Sequence, residues 1–205
     1  RLAFAVIAHV DADILVIDPA DNAGIAIRPA DTEVADWARA QGIAVTDAAD
    51  ALLVTRVFDA AAQEFARDGG QVLVLVEDED AFSDALDYLP SARLGSRSGD
   101  GDWVPRTEWL DRRGAFQTVP GDTILSIAFE DLLGPLVINN MPNAMRPARV
   151  HSAIFSGWLR GAATTTATIA WSEGQVTFTT LRVRAAADVP VARSLAHALV
   201  RAAAS

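Results

Sequence analysis

The sequence predicts an α/β domain: a doubly wound, mostly parallel sheet with helices on both faces and an antiparallel hairpin near the C-terminus. Three observations carry this. Short, nearly continuous apolar runs recur at Ile14–Asp18 (ILVID), Ala51–Thr55 (ALLVT) and Gln71–Val76 (QVLVLV), as strands covered on both faces require. Segments of helical period, with capping residues at their starts and glycine at their ends, lie between them. Near the end, two β-prone runs flank Ser172-Glu173-Gly174-Gln175, a hairpin signal.

Taken in order, Ile14–Asp18 is the first expected strand. A helix then starts at Asp31 or Thr32, puts Val34, Trp37 and Ala38 on one face, and stops before Gly42. Ile43–Val45 and Ala51–Thr55 are the next strands. Asp59 is the expected cap of a helix through Phe65 to Asp68, and Gly69-Gly70 releases the chain into Gln71–Val76. From Pro90 to Gly121 the pattern dissolves into Pro, Gly, Ser, Arg and Asp, which predicts an irregular insertion bearing Trp103 and Trp109. Asp122 reads as the cap of a helix through Leu133, ended by Gly134-Pro135, with a short strand at Leu136–Ile138. Thr166–Trp171 and Val176–Leu181 are the hairpin strands. Asp188 and Pro190 open a last helix with Val191, Leu195, Ala198 and Leu199 at helical spacing.

Composition mainly removes functions. The 205 residues contain no Cys, and all 17 basic side chains are Arg. A thiol nucleophile, a disulfide and a thiolate metal site are thereby excluded. So are a Schiff-base Lys, pyridoxal phosphate chemistry and the Lys of a P-loop; no cofactor is expected. A hydrophobic content of 51% supplies one substantial core, so residues 1–205 read as one domain. A net charge of −10 opposes binding to nucleic acid. No apolar run approaches the ~20 residues of a membrane span. The chain opens on Arg1 and an apolar run without a signal-peptide pattern, so it reads as a piece of a longer polypeptide, with residues 1–10 a linker strand from a preceding domain. The compartment stays open, since lack of Cys suits any.

The run GWLRGAATTTATIAWSEGQVTFTTLRV followed by DVPVARSLAHALVRA, Gly157 to Ala202, resembles the glutamine-amidotransferase-like domain of multidomain glycoside hydrolases, particularly family 2 enzymes of the β-galactosidase type. ILVIDP, QVLVLV and AFEDLLGPLVIN fit the same pattern. The resemblance implies a class I amidotransferase-like or flavodoxin-like sheet. Catalytic members of that superfamily place a Cys between glycines at a strand-to-helix elbow, with His and Glu downstream. Here the position after Gln71–Val76 holds Glu77-Asp78-Glu79-Asp80, and no His-x-Glu pair follows. The resemblance therefore implies an accessory module with no catalytic residue, its partners being the other domains of the parent polypeptide or a second copy of the chain.

Candidate sites divide between chemistry and plain structure. Asp18, Glu77 and Asp78 lie at the expected carboxyl edge of the sheet, where carboxylates suit Ca²⁺ or Mg²⁺. The acidic tetrad reads first as a solvated helix start, and Asp18 as a turn residue beside Pro19. His9, His151 and His197 have no companions at triad or ligand spacing and read as structural. Trp158 and Trp171 read as core. Trp103 and Trp109, with Arg106, Arg112 and Arg113, have the aromatic and Arg composition of contact hot spots, so the insertion is the expected interface, with packing of the Trp residues on the domain's own sheet the close alternative and sugar stacking the lesser one. Asn139, Asn140 and Asn143 read as turn chemistry. Glu33, Glu64, Glu108, Glu130 and Glu173 could supply a glycosidase pair, but the chain has about half the strand–helix units of a (β/α)₈ barrel. The expected function is a non-catalytic accessory domain. The alternatives are a stand-alone small-molecule or metal-dependent hydrolase using the acidic edge, and a carbohydrate-binding module.

Overall fold

Alternate side chains of the apolar runs enter two different cores, which is why these strands are hydrophobic on both sides. The computed structural model describes residues 25–82, 93–96, 106–139, 148–156 and 161–205. Strand β3 (Leu52–Thr55) sends Leu52 and Val54 to one face and Leu53 to the other. Strand β4 (Gln71–Leu75) divides likewise, Leu73 and Leu75 on one face, Val72 and Val74 on the opposite. Helices α1 (Thr32–Ala40) and α3 (Pro190–Ala203) cover the first face; α2 (Ala60–Arg67) covers the second, where Phe58 meets Trp171 and Phe178 edge-on. Helices on both faces and the roles of α1 and α2 agree with the sequence. Asp31 and Asp59 accept from the backbone N–H of Val34 and Ala62, as N-caps do.

The remaining strands are β1 (Ala26–Pro29), β2 (Ala44–Val45), β5 (Arg93–Ser96), β6 (Arg106–Leu110), β7 (Leu136–Asn139), β8 (Ala148–Ser156), β9 (Gly161–Trp171) and β10 (Gly174–Thr179). The sheet runs β2-β1-β3-β4-β10-β9-β7-β5, with β8 joined to β9 and β6 to β8. Pairings from β2 through β10 are parallel, and all those beyond are antiparallel. The sheet is thus mixed, as a parallel sheet closed by an antiparallel hairpin is expected to be, and its antiparallel part is larger because the segment read as an insertion contributes strands. The expected irregular stretch from Pro90 to Gly121 contains β5 and β6; β6 pairs with β8, a strand the sequence reading did not anticipate.

The helix expected from Asp122 to Leu133 is also corrected. The Leu110 N–H donates to the Thr123 carbonyl and the Leu125 N–H to that of Glu108. This segment is therefore held extended against β6, and only a 3₁₀ turn, Ile127–Leu132, follows. Asp188 is not the cap of α3: Val189 occupies that place, with Pro190 in the first turn. The expected strand Ile14–Asp18, the linker 1–10, His9, Trp103, Trp158, Asn140 and Asn143 lie outside the described residues.

The hairpin between β9 and β10 turns on Ser172 and Glu173, with Ser172 at φ 56°. Gly174 then passes so close to α2 that an added Cβ would lie 2.2 Å from the Gly70 carbonyl oxygen and 2.3 Å from that of Ala66. Neither backbone atom can yield without moving the end of α2. Gly174→Ala is expected to lower stability by about 2–4 kcal/mol, as overpacking against backbone does. Chemical denaturation reads this directly, and a loss below about 0.5 kcal/mol would contradict the close approach.

Candidate functional site at the carboxyl edge

In open α/β sheets ligands bind beyond the carboxyl ends of the parallel strands. Here that edge comprises the residues following β1, β3, β4 and β10. Five charged side chains meet across it in alternating sign. Arg56, after β3, reaches Asp31 and Glu33 at the start of α1, at 3.0 Å each. Glu33 also accepts from Arg184 at 3.0 Å. Arg184 in turn grips Glu77, after β4, with Nε on one carboxylate oxygen at 2.7 Å and Nη2 on the other. A two-pronged pair of this kind is the strongest form of ion pair, because both donors match both acceptors.

The backbone sets up each member. Asp31 is simultaneously the N-cap of α1. Burial works against its ionisation, but the Val34 N–H and Arg56 outweigh that and hold its carboxyl below the usual range. Arg184 is fixed from the side: the Trp37 indole donates to the Val183 carbonyl at 3.2 Å, anchoring the preceding residue to α1. The hydrogen bonds that Arg184 donates to Glu77 raise its pKa above the ordinary value. Arg184 and Glu77 keep only 26% and 21% of their side-chain surface in solvent, so this pair is shielded from salt more than the outer ones.

Of the metal candidates, Asp18 lies outside the described residues. Glu77 is engaged by Arg184, and Asp78 is exposed. Among the described residues no three His, Asp or Glu side chains converge. The hollow beside Glu77, lined by Gly134, Pro135, Thr180 and Arg182, measures about 140 Å³, below the ~300 Å³ at which small-molecule sites begin. Among the described residues no helix is long and apolar enough to cross a membrane.

The expected interface residues are partly redirected. Trp109 is half-buried in β6, paired with Ala153 and bridged to Ile124. Arg112 is turned inward as a stitch, donating to the carbonyls of Val119, Pro120 and Asp122. Burial lowers its pKa. Arg113 stays exposed and pairs with Asp111 at 2.8 Å. For Arg106 only the backbone, in β6, is described. What the sequence reading missed is on the same side of the sheet as Trp109: Phe155, 45% exposed, and Ile124, 54% exposed. The alternation of β8 could have marked Phe155, had that strand been recognised.

The two described histidines are held by hydrogen bonds within the domain. His197 Nε2 bonds to the Gln41 carbonyl at 2.8 Å. His151 Nε2 bonds to Thr168 at 2.9 Å, and Thr168 to Thr177 at 2.7 Å across the hairpin. Burial, and then Arg149, lower the His151 pKa to about 4 against a weaker opposing pull from Asp111.

No protein-family model matches the chain, and no curated protein matches it. Among solved structures it is similar to the cold-adapted β-galactosidase of Rahnella sp. R3, at 16% identity and a TM-score of 0.43 over 80% of this chain. It is also similar to the β-galactosidase of Bacillus circulans sp. alkalophilus, at 12% identity and a TM-score of 0.44 over 87%. The chain spans 26% and 30% of those two proteins.

Two predictions follow from this geometry. Arg184→Met leaves the Glu77 carboxylate half-buried and unpaired, and should cost about 1–3 kcal/mol by urea denaturation, part of which a second change, Glu77→Gln, restores. A single variant as stable as the parent chain would contradict the network. His151 is neutral when folded and has an ordinary pKa near 6.5 when unfolded, so the unfolded state binds the extra proton. Stability should therefore fall as pH drops from about 6.5 to about 4, by on the order of 2 kcal/mol given the open groove beside the ring, and level off below. The slope in that window should shrink in His151→Gln.

Proposed function

We propose that this chain is a non-catalytic accessory domain of a larger glycoside hydrolase, contributing support and contact surface rather than chemistry. The observation that carries the reading is the state of the carboxyl edge. The position at which the resembled superfamily keeps its nucleophile holds Glu77, and that side chain is spent on Arg184. An edge whose charges satisfy one another offers neither an activated nucleophile nor a carboxylate free to act as acid or base. The glycoside-hydrolase context rests on the sequence pattern from Gly157 to Ala202.

The contact surface lies on the antiparallel wing. Ile124, Trp109 and Phe155 stand on adjoining strands, and a strip of exposed apolar side chains on a regular sheet is how domain interfaces are built. The other domains of the parent polypeptide are its proposed occupant. The strip lies next to the segment expected to make contact, with Trp109 common to both.

The test has two parts. The isolated chain should turn over neither nitrophenyl glycosides nor glutamine above a heat-denatured control, and measurable turnover overturns the reading. A double variant, Ile124→Asp with Phe155→Asp, should keep its thermal transition yet lose at least tenfold in affinity for the separately expressed remainder of its own polypeptide. Unchanged affinity would remove this strip as the contact.

A further inference from the structure

On the α3 side of the sheet, lined by none of the residues of the closed edge, lies a larger hollow of about 510 Å³. It lies between the 3₁₀ turn Gly114–Phe116, β8 and the last turn of α3, and falls within the ~300–1,000 Å³ range of small-molecule sites. Arg149, His151 and Arg201 line it together with Gln117 and Thr118, while Ala115, Ala202 and Ala204 give it apolar walls. A second hollow of about 330 Å³ adjoins it, and Arg149 lines both.

The charged side chains that line this hollow are all basic, and Ser205, the last residue of the sequence, lines both hollows beside them. Arg201 donates from Nη2 to the Thr118 hydroxyl at 2.7 Å and to the Ala115 carbonyl at 3.2 Å, and meets no carboxylate among the described residues. Arg149 has neither a hydrogen bond nor an ion pair among them; its guanidinium rests against Gly114, where an added Cβ would be 3.2 Å from Nη2. Asp111, whose carboxylate interacts with it electrostatically, is paired with Arg113. By contrast Arg39, Arg56, Arg113 and Arg184 each hold a carboxylate. In a chain of net charge −10, two guanidinium groups lining one cavity, neither paired with an acidic side chain among the described residues, make this cavity an exception to the acidic surface. Guanidinium forks match carboxylate and phosphate oxygens two at a time.

We propose that this hollow binds a small organic anion, its carboxylate or phosphate held by Arg149 and Arg201 and its body laid along the alanine wall. His151, hydrogen-bonded at Nε2 to Thr168, backs the site and joins it to the threonine ladder of β9 and β10. The site is independent of the accessory role proposed above, since it shares no residue with the closed edge or the apolar strip.

The test is calorimetric titration of the 205-residue chain at low ionic strength with inorganic phosphate, glucose 6-phosphate, glucuronate and citrate, and with glucose as the neutral control. At least one anion should bind saturably and glucose should not. The phosphate and carboxylate arms identify which group is read. Arg149→Ala should weaken that binding at least tenfold with little change in the ligand-free melting temperature, since Arg149 makes neither a hydrogen bond nor an ion pair among the described residues. Arg149→Lys should retain more affinity than Arg149→Ala. Arg39→Ala, which removes a cation elsewhere, should bind as the parent does. No saturable binding by any anion, or equal weakening in Arg39→Ala and Arg149→Ala, would overturn the proposal.

Discussion

Asp31, Arg56, Glu33, Arg184 and Glu77 join the ends of β3 and β4, the start of α1 and the loop before α3 through one line of alternating charge. These are elements that a parallel sheet brings together only at its carboxyl edge, so the network is a product of the fold and also a restraint on it. Its other pairs keep more of their surface in solvent, Glu33 most of all, and each is worth little, about 0.2–1 kcal/mol. The weight falls on the Glu77–Arg184 pair, which is shielded and two-pronged. That pair closes the place where α/β domains ordinarily receive a ligand, and the functional reading follows from the closure.

The other half of the sheet is organised by hydroxyl groups rather than charge. Thr166 and Thr179 share a hydrogen bond at 2.9 Å, and Thr168 and Thr177 one at 2.7 Å. In register Thr177 stands beside Leu73 and Thr179 beside Leu75, so the ladder continues the α3-side core into the antiparallel wing. Cross-strand threonine pairs contribute about 0.2–1 kcal/mol each. They also leave the buried hydroxyl groups of these strands satisfied beside the open groove at this end of α3. The sheet thus has an apolar parallel half and a hydroxyl-rich antiparallel half, and the two hollows that Arg149 lines lie over the second.

Local chemistry made the parallel half legible from sequence. Asp31 and Asp59 cap where capping residues should, Gly42 has the positive φ of 73° that a helix exit favours, and continuous apolar runs became two-faced strands. The antiparallel half was obscured because its signals are non-local. β6 carries Arg106, Thr107 and Glu108, unremarkable until β8 supplies the pairing. The stretch from Asp122 has helical spacing, yet backbone bonds from Leu110 and Leu125 hold it extended. β1, four residues with an Arg and a Pro, is stabilised by neighbours on both sides and by Arg28 lying 4.3 Å over the Phe65 ring.

The candidate site was half legible. Glu77 stood out by its place after a long strand, but its partner is 107 positions away, and nothing in the spacing of either residue announces the other. Arg112 illustrates the converse: among aromatic and basic neighbours it reads as an exposed contact, whereas its donors are consumed by three loop carbonyls. The central claim is that the carboxyl edge is closed by its own ion pairs. Nuclear magnetic resonance of the Arg184 Nε–H tests it most directly. The account predicts a resolved, slowly exchanging signal that Mg²⁺, Ca²⁺ and neutral sugars leave unmoved, whereas a rapidly exchanging signal, or one displaced by any of these, would contradict it.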